Sequence, residues 1–415
     1  MRRIIVLLVL VLSFITVATA QKATDYYNRG IELLDKRDLD GAINSFTMAI
    51  AKKHDYPQAY YSRGVAKRRK GDLEGAIADF TRMIEIEPRY PEAYFARGSA
   101  REARGNLDGA LSDYTRGIDV GPKYAPTYYN RALLLRKMGE TERAIADCTS
   151  AIEIDPSYAN AYVIRGLSLA DKGDLTDAIA DYNKALELDG RNAIALYDRA
   201  LALQKKDDLT AANADYTKAI EIDPKYTAAY CNRGMIRKDK GDLDGAILDF
   251  SAAIQLDPKL AMAFYNRAAA KAKKNDLAGA IADYSAVIQM RPDSPSLYFS
   301  RAVVLLSKGD PDGAIADYNK VLELDPKQTL TYYNRGLAKV AKGDFTAAIA
   351  DFDKAVEANA SFAPAYGDRG LTYLRVGKKE QADQDFAACL KLDSSQKAYL
   401  NDQINKIDQE KNHHF

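Results

Sequence analysis

Eleven arginines, spaced 34 residues apart without a slip, are the most regular chemistry-bearing groups in the chain: Arg29, Arg63, Arg97, Arg131, Arg165, Arg199, Arg233, Arg267, Arg301, Arg335 and Arg369. Sixteen residues after each stands an aspartate: Asp79, Asp113, Asp147, Asp181, Asp215, Asp249, Asp283, Asp317, Asp351 and Asp385, with Ser45 in the first copy. A planar guanidinium and a carboxylate suit a bidentate contact; arginines left open would instead capture anionic ligands. An unpaired charge between helices costs several kcal/mol, and the acid recurs as faithfully as the base, so ion pairs are the expectation. Pairing within the period leaves Arg29 alone, whereas pairing across periods leaves Arg29, Arg63 and Asp385 unmatched. Within-period pairing is expected, and spacing alone leaves the other arrangement open. Catalysis has little to draw on. The three histidines are His54, His413 and His414, and no Gly-rich phosphate loop, metal-ligand spacing or nucleophile-with-base arrangement occurs. No enzyme activity, cofactor or metal is expected.

Other columns hold the same register. Three residues before the arginine stands an aromatic in every copy but one, from Tyr26 to Tyr366, with Leu196 the break. Gly or Ala follows each arginine, an alanine lies thirteen residues on (Ala42 to Ala382), and Phe or Tyr lies seventeen on except at Cys148. A fixed period of this length means stacked copies of one supersecondary unit. The periods run 23–56, 57–90, 91–124, 125–158, 159–192, 193–226, 227–260, 261–294, 295–328, 329–362 and 363–396. No linker interrupts them, so one continuous array is expected.

Each period reads as two helices. In the second copy Tyr60, Gly64 and Lys67 share one helical face, as do Ala76, Phe80 and Met83. Between them Gly71 can end a helix in the left-handed conformation, and Asp72 can cap the next. Arg37, Asp207 and Asn275 replace that glycine, and nine copies carry Asp or Asn next. Seven second helices stop at a proline such as Pro156 or Pro326, which ends one hairpin and opens another.

This series of Tyr, Gly/Ala, Ala, Phe/Tyr and Pro at a 34-residue period resembles the tetratricopeptide repeat family over about nine-tenths of the chain. The resemblance implies an all-α fold, an α-solenoid of eleven 34-residue helix-turn-helix repeats forming a right-handed superhelix. First helices would line a concave groove that binds peptides or protein tails. The terminal copies depart most, with His54 at a proline position and Lys378 and Ser394 in place of the last Asp and Pro signals, as expected where one side faces water. Residues 397–415 read as a capping helix and tail.

The N-terminus is different. Arg2 and Arg3 precede an uncharged, mostly apolar run, Ile4 to Val17, ending in Ala18-Thr19-Ala20. That order describes a secretory signal peptide, residues 1–20, and predicts a periplasmic or secreted protein with no stable transmembrane span after cleavage. An uncleaved N-terminal anchor is the alternative. Cys148, Cys231 and Cys389 sit at three different register positions and read as isolated thiols.

Charge is nearly balanced at +1 but unevenly placed: the first fourteen residues of the repeats sum to about +24 and the remainder to about −26. Lysines at helix C-termini and acids at the following N-termini are favoured by the helix dipole, so the basic first helices need no ligand to explain them. Lys67, Arg101, Arg237, Lys271 and Lys339 are expected to snorkel. A near-neutral pI argues against nucleic acid as principal partner.

The dipole leaves one stripe unexplained. Two residues before the arginine stand Tyr27, Tyr61, Phe95, Tyr129, Tyr197, Tyr265, Phe299 and Tyr333, and the next position holds Asn28, Asn130, Asn232, Asn266 and Asn334. In the resembling family these positions face the groove, and the asparagine bonds a ligand backbone. The lysines of the family's carboxylate clamp are missing, their places taken by Thr24, Gln58, Glu92 and Pro126. Those eight rings and five amides are the candidate ligand-binding residues, and the rings are expected to lie outside the core. The chain is expected to be a non-catalytic protein-interaction scaffold for acidic or mixed-charge peptides, with self-association compatible. An envelope module binding anionic polymer or peptidoglycan is the alternative.

Overall fold

The computed structural model describes residues 22–412, so the expected signal segment lies outside the described residues. Among them are 23 α-helices and one 3-10 turn, with no strand. First helices begin at Ala23, Pro57, Pro91, Ala125, Ala159, Ala193, Thr227, Ala261, Pro295, Thr329 and Ala363, and each is followed by a 14-residue second helix. A final helix, Lys397–Asn412, closes the series. The chain forms two compact units dividing after Asp215, inside the second helix of the sixth repeat (Leu209–Ile222) and not at a linker. Each unit is an all-α solenoid of stacked hairpins.

The turn chemistry is mostly as the sequence implies. Eight glycines from Gly71 to Gly377 take positive φ at the end of the first helix, and Arg37, Asp207 and Asn275 take φ of 62–66° in the same place. Eight Asp or Asn side chains then accept a hydrogen bond from the backbone N–H three residues on, as Asp72 does from Gly75 at 2.9 Å. Asp174 does not cap; its carboxylate lies 3.9 Å from Lys172 Nζ instead. The residue after the second helix takes a similar backbone whether or not proline follows, as at Asp155 (φ −134°) before Pro156 and Asp189 (φ −137°) before Gly190. Proline therefore fits this exit without being needed to force it.

Small residues set how closely the helices of a hairpin approach. All eleven alanines of the Ala42–Ala382 column are fully buried. A Cβ added to Gly64 would lie 2.7 Å from Phe80 Cε1, and Gly30, Gly98, Gly166, Gly336 and Gly370 meet the equivalent ring as tightly. Alanine takes the glycine's place at Ala132, Ala200, Ala268 and Ala302; the last three still meet a tyrosine, whereas Ala132 lies fully buried in one cluster with Cys148.

The arginines lie in the seam between the two helices. Arg63 donates through Nε to Asp79 Oδ2 at 2.9 Å and through Nη2 to Oδ1 at 2.7 Å, and the same fork recurs in every repeat from the second to the eleventh. Pairing is within the repeat. The aspartate side chains are only 3–9 % exposed. Nine of these guanidinium groups also lie over the aromatic three residues earlier, 5.4–6.0 Å from the ring centre, a favourable cation–π placement. The tenth, Arg199, follows Leu196 and has no such ring.

The remaining nitrogen, Nη1, reaches back one repeat. It donates to Thr47, Thr81, Thr115, Thr149, Asn183, Thr217, Ser251, Ser285, Asn319 and Asp353 in turn, at 2.6–3.2 Å. The arginine thus joins helix to helix and hairpin to hairpin. In the eleventh repeat, where no arginine follows, Ala387 occupies that column.

Removing one partner of such a buried pair costs about 3–5 kcal/mol, because the other charge stays buried. Asp215→Ala, which strands Arg199, should therefore lower the urea midpoint far more than Asp239→Ala, whose side chain is 67 % exposed. Equal midpoints for the two variants would mean the forks carry no net stability.

Candidate functional site

Residues five and two positions before the arginine and two after it share one face of each first helix. In the second unit this face carries Met262, Tyr265, Val303 and Leu330, all large, apolar and exposed. Ile194 stands at the corresponding place in the first unit and is 58 % exposed. Isolated exposed apolar residues are ordinary, whereas a run on one face marks a contact surface.

The aromatic stripe belongs partly to the core, contrary to the sequence expectation. Tyr27, Tyr61, Phe95, Tyr265, Phe299 and Tyr333 each lie 5.6–6.2 Å, centre to centre, from the buried second-helix ring of their own repeat. Tyr27, Tyr61, Phe95, Tyr129 and Tyr333 also meet the aromatic that closes their repeat, Tyr56, Tyr90, Tyr124, Tyr158 and Phe362, at 5.1–6.1 Å. Two adjacent aromatics can both be held because one stacks on the arginine while the other leans on the hairpin's inner ring. Tyr197 is half-buried, and Tyr265 is the most open of the eight. Burial pushes the Tyr61 phenol up to about 12.

The asparagines are also engaged. Asn130, Asn266 and Asn334 donate to the carbonyl four residues back at 2.7–2.9 Å, and Asn266 Oδ1 accepts from Lys238 Nζ. Asn28 is exposed and Asn232 half-buried.

The basic residues of the first helices are largely neutralised internally. Lys67, Arg101, Arg237, Lys271 and Lys339 do not snorkel: each bonds the free side of the seam aspartate, as Lys67 Nζ does to Asp79 Oδ2 at 2.9 Å. A carboxylate held by one guanidinium still has lone pairs for a second cation. At the helix ends Lys70, Arg104, Lys274 and Lys342 pair with Asp40, Glu74, Asp244 and Asp312 of the preceding repeat.

Two aspartates break the pattern at the position just before the arginine. Asp368 is buried and accepts from the phenols of Tyr333 (2.7 Å) and Tyr399 (3.0 Å). Asp198 is equally buried, and desolvation pushes its carboxyl up to about 6, with Arg136 pulling it down and Asp171 raising it. The composition of this column, Asn in five copies and Asp in two, was visible in the sequence, but the burial that distinguishes the aspartates was not. The cysteines are free and buried; burial lifts Cys148 to about 12 and Cys231 to about 11, so both are thiols at neutral pH. Among the described residues there is no cluster of His, Cys, Asp and Glu suited to a metal ion, and no helix is long and apolar enough to cross a membrane.

Family models described as tetratricopeptide repeat match residues 27–91, 125–158, 193–226, 215–247, 264–329, 330–362 and 363–396, and one described as TPR repeat matches 166–207 and 234–275. The chain belongs to the tetratricopeptide repeat family. No curated protein matches it. Among solved structures it is similar to YrrB, described as a TPR protein with an unusual peptide-binding site (30 % identity, 47 % of this chain and 97 % of that one, TM-score 0.40). It is also similar to MamA (27 % identity, 41 % and 93 %, TM-score 0.38) and to yeast Tom70 (17 % identity, 94 % and 96 %, TM-score 0.37).

Asp198 gives a pH test with a defined sign. A carboxyl raised in the folded state destabilises at pH above its folded value, and the deficit vanishes once pH falls below the unfolded value near 4. Asp198→Asn should melt higher than wild type at pH 7.5, by on the order of 1–3 kcal/mol, with the gain disappearing by pH 4. A gain independent of pH would show that Asp198 is not the raised group.

Proposed function

We propose that the chain is an exported, non-catalytic protein-interaction scaffold that holds extended peptides or protein tails of mixed charge along the first-helix face. The observation that carries this reading is the exposed apolar series Met262, Tyr265, Val303 and Leu330, set on a face whose neighbouring charges are already paired. Membership of a family of protein-binding repeats supports it, as does the peptide-binding site named for YrrB. The anionic-polymer alternative needs free lysines, and the pairing of Lys67, Lys271, Lys339 and the helix-end cations weighs against it.

Aromatic and apolar anchors dominate interfaces, with losses of about 2 kcal/mol or more at the best sites. Peptides selected from a displayed library on the wild-type protein should bind Met262→Ser/Tyr265→Ser/Leu330→Ser at least tenfold more weakly, with helical circular dichroism retained. Undiminished binding by the folded triple variant would move the site to the second helices or the loops.

Export rests on Arg2, Arg3, the apolar run and Ala18-Thr19-Ala20. Protein purified from its native host should begin at Gln21 and be recovered outside the cytoplasm. Cytosolic protein that retains Met1 would refute the export assignment.

A further inference from the structure

Four columns of each first helix, five and two residues before the arginine and two and five after it, lie within about 80° of one another and opposite the arginine. In the eighth to eleventh repeats no charged residue stands in any of them. Five after the arginine come Ala272, Leu306, Val340 and Leu374, and Met262, Val303 and Leu330 in the other columns are 40–53 % exposed. The first unit differs in the same columns. Arg68, Glu92, Glu102 and Arg136 stand there in the second to fourth repeats. Three of these are tied into the protein: Arg68 donates to Ser99 Oγ at 2.7 Å, Glu102 accepts from the Tyr114 phenol at 2.9 Å, and Arg136 donates to Asp171 at 3.0 Å.

Successive first helices of the second unit adjoin. Lys238 Nζ donates to Asn266 Oδ1 at 2.8 Å, joining the seventh to the eighth, and the Tyr333 phenol donates to Asp368 at 2.7 Å, joining the tenth to the eleventh. The uncharged columns of the eighth to eleventh repeats therefore form one strip. Packed helices lie about 10 Å apart, so four of them make a strip on the order of 30 Å long, which about nine residues of extended chain span. At the eighth-repeat end the strip gives way to charge, with Lys238, Asp239 and Lys273 supplying two cations to one anion. A charged side chain laid along the strip leaves water without gaining a counter-ion, which is costly. A carboxylate at the eighth-repeat end meets net positive charge instead.

Resting on the first-helix reading above, we infer that the second unit holds an extended, uncharged aliphatic run of about nine residues from a partner protein, with an acidic residue at the end that meets Lys273. The mixed charge of the partner then lies outside this run. Met262 brings a flexible thioether to the strip, which lets it fit aliphatic side chains of more than one shape. Its exposed apolar surface is continuous over several repeats, as a contact surface requires and scattered residues do not provide.

Fluorescence anisotropy with three labelled nonapeptides tests this. The first is a run of leucine, valine and alanine with aspartate at one end, the second has lysine in place of that aspartate, and the third has glutamate in place of the central leucine. Wild type should bind the first about tenfold or more tightly than the third, and more tightly than the second by a margin that shrinks as salt rises. Leu306→Arg/Val340→Arg should bind the first peptide about tenfold or more weakly than wild type does. Helical circular dichroism should persist, since Arg68 and Arg136 hold the same column in the first unit. If it does not, Met262→Arg, at a position 47 % exposed, is read in its place. Equal binding of the first and third peptides to wild type, or undiminished binding of the first by the folded variant, overturns the aliphatic run. Failure of all three peptides to bind overturns it as well. In each case the library-selected peptides decide separately whether the first-helix face binds anything. Sedimentation showing a wild-type dimer that the variant abolishes assigns the strip to a second copy of this chain and likewise overturns the peptide run.

Discussion

Placing a guanidinium in the seam of every hairpin is the constraint on which the rest of this structure depends. A buried arginine is tolerable only when its charge is matched and its donors are used, and here all of it is provided for within two adjacent repeats. The aspartate of the same hairpin takes two nitrogens, a hydroxyl, amide or carboxylate of the previous hairpin takes the third, and a ring three residues earlier covers the flat face. One side chain thus serves both the intra-repeat and the inter-repeat interface. Solenoid stability is a sum of unit terms and nearest-neighbour terms, and in this chain the same residue contributes to both. The ends follow from that logic. Arg29 has Ser45 where its acid would be and is exposed, and among the described residues no hairpin precedes it and no arginine follows Ala387 at that register.

The same accounting changes what the charge pattern means. First helices look strongly basic when their residues are added up, yet the five extra cations four residues beyond the arginine sit on the seam aspartates. Others cross to acids on the preceding repeat. Charge that is already paired does little to attract a distant anion and is further screened by salt. Exposed apolar side chains are then the more informative feature of this face, because the hairpins leave much of their surface open.

Much of this was legible beforehand, for a physical reason. Helix periodicity, the glycine at the first turn, the Asp or Asn caps and the Arg–Asp columns are local or strictly periodic signals, and periodicity repeats each signal eleven times. The polar column eighteen residues after the arginine, Thr47 to Asp353, was equally periodic and was missed, because its residues vary among Thr, Ser, Asn and Asp and its partner lies one repeat on. The stripe of Tyr27 and Tyr61 was misjudged for a different reason. The sequence places those rings outside the core, whereas a first helix touches its own second helix and the residue that closes its repeat, so Tyr61 finds both Phe80 and Tyr90 to pack on. Burial of Asp198 was not legible at all, since the column it shares with Asn28 and Asn334 contains exposed and half-buried members.

In a chain this regular, departures from the repeat carry more information about function than the repeat does. Cys148 is a departure that the core absorbs, since it lies fully buried in one cluster with Ala132. Asp368 is explained by the closing helix, which brings Tyr399 to it and completes a two-phenol cradle with Tyr333. Leu196 removes a ring from Arg199 yet leaves the fork to Asp215 intact. Asp198 is not absorbed in this way: its burial raises its carboxyl and costs stability, and Val163 stands where Tyr333 stands for Asp368.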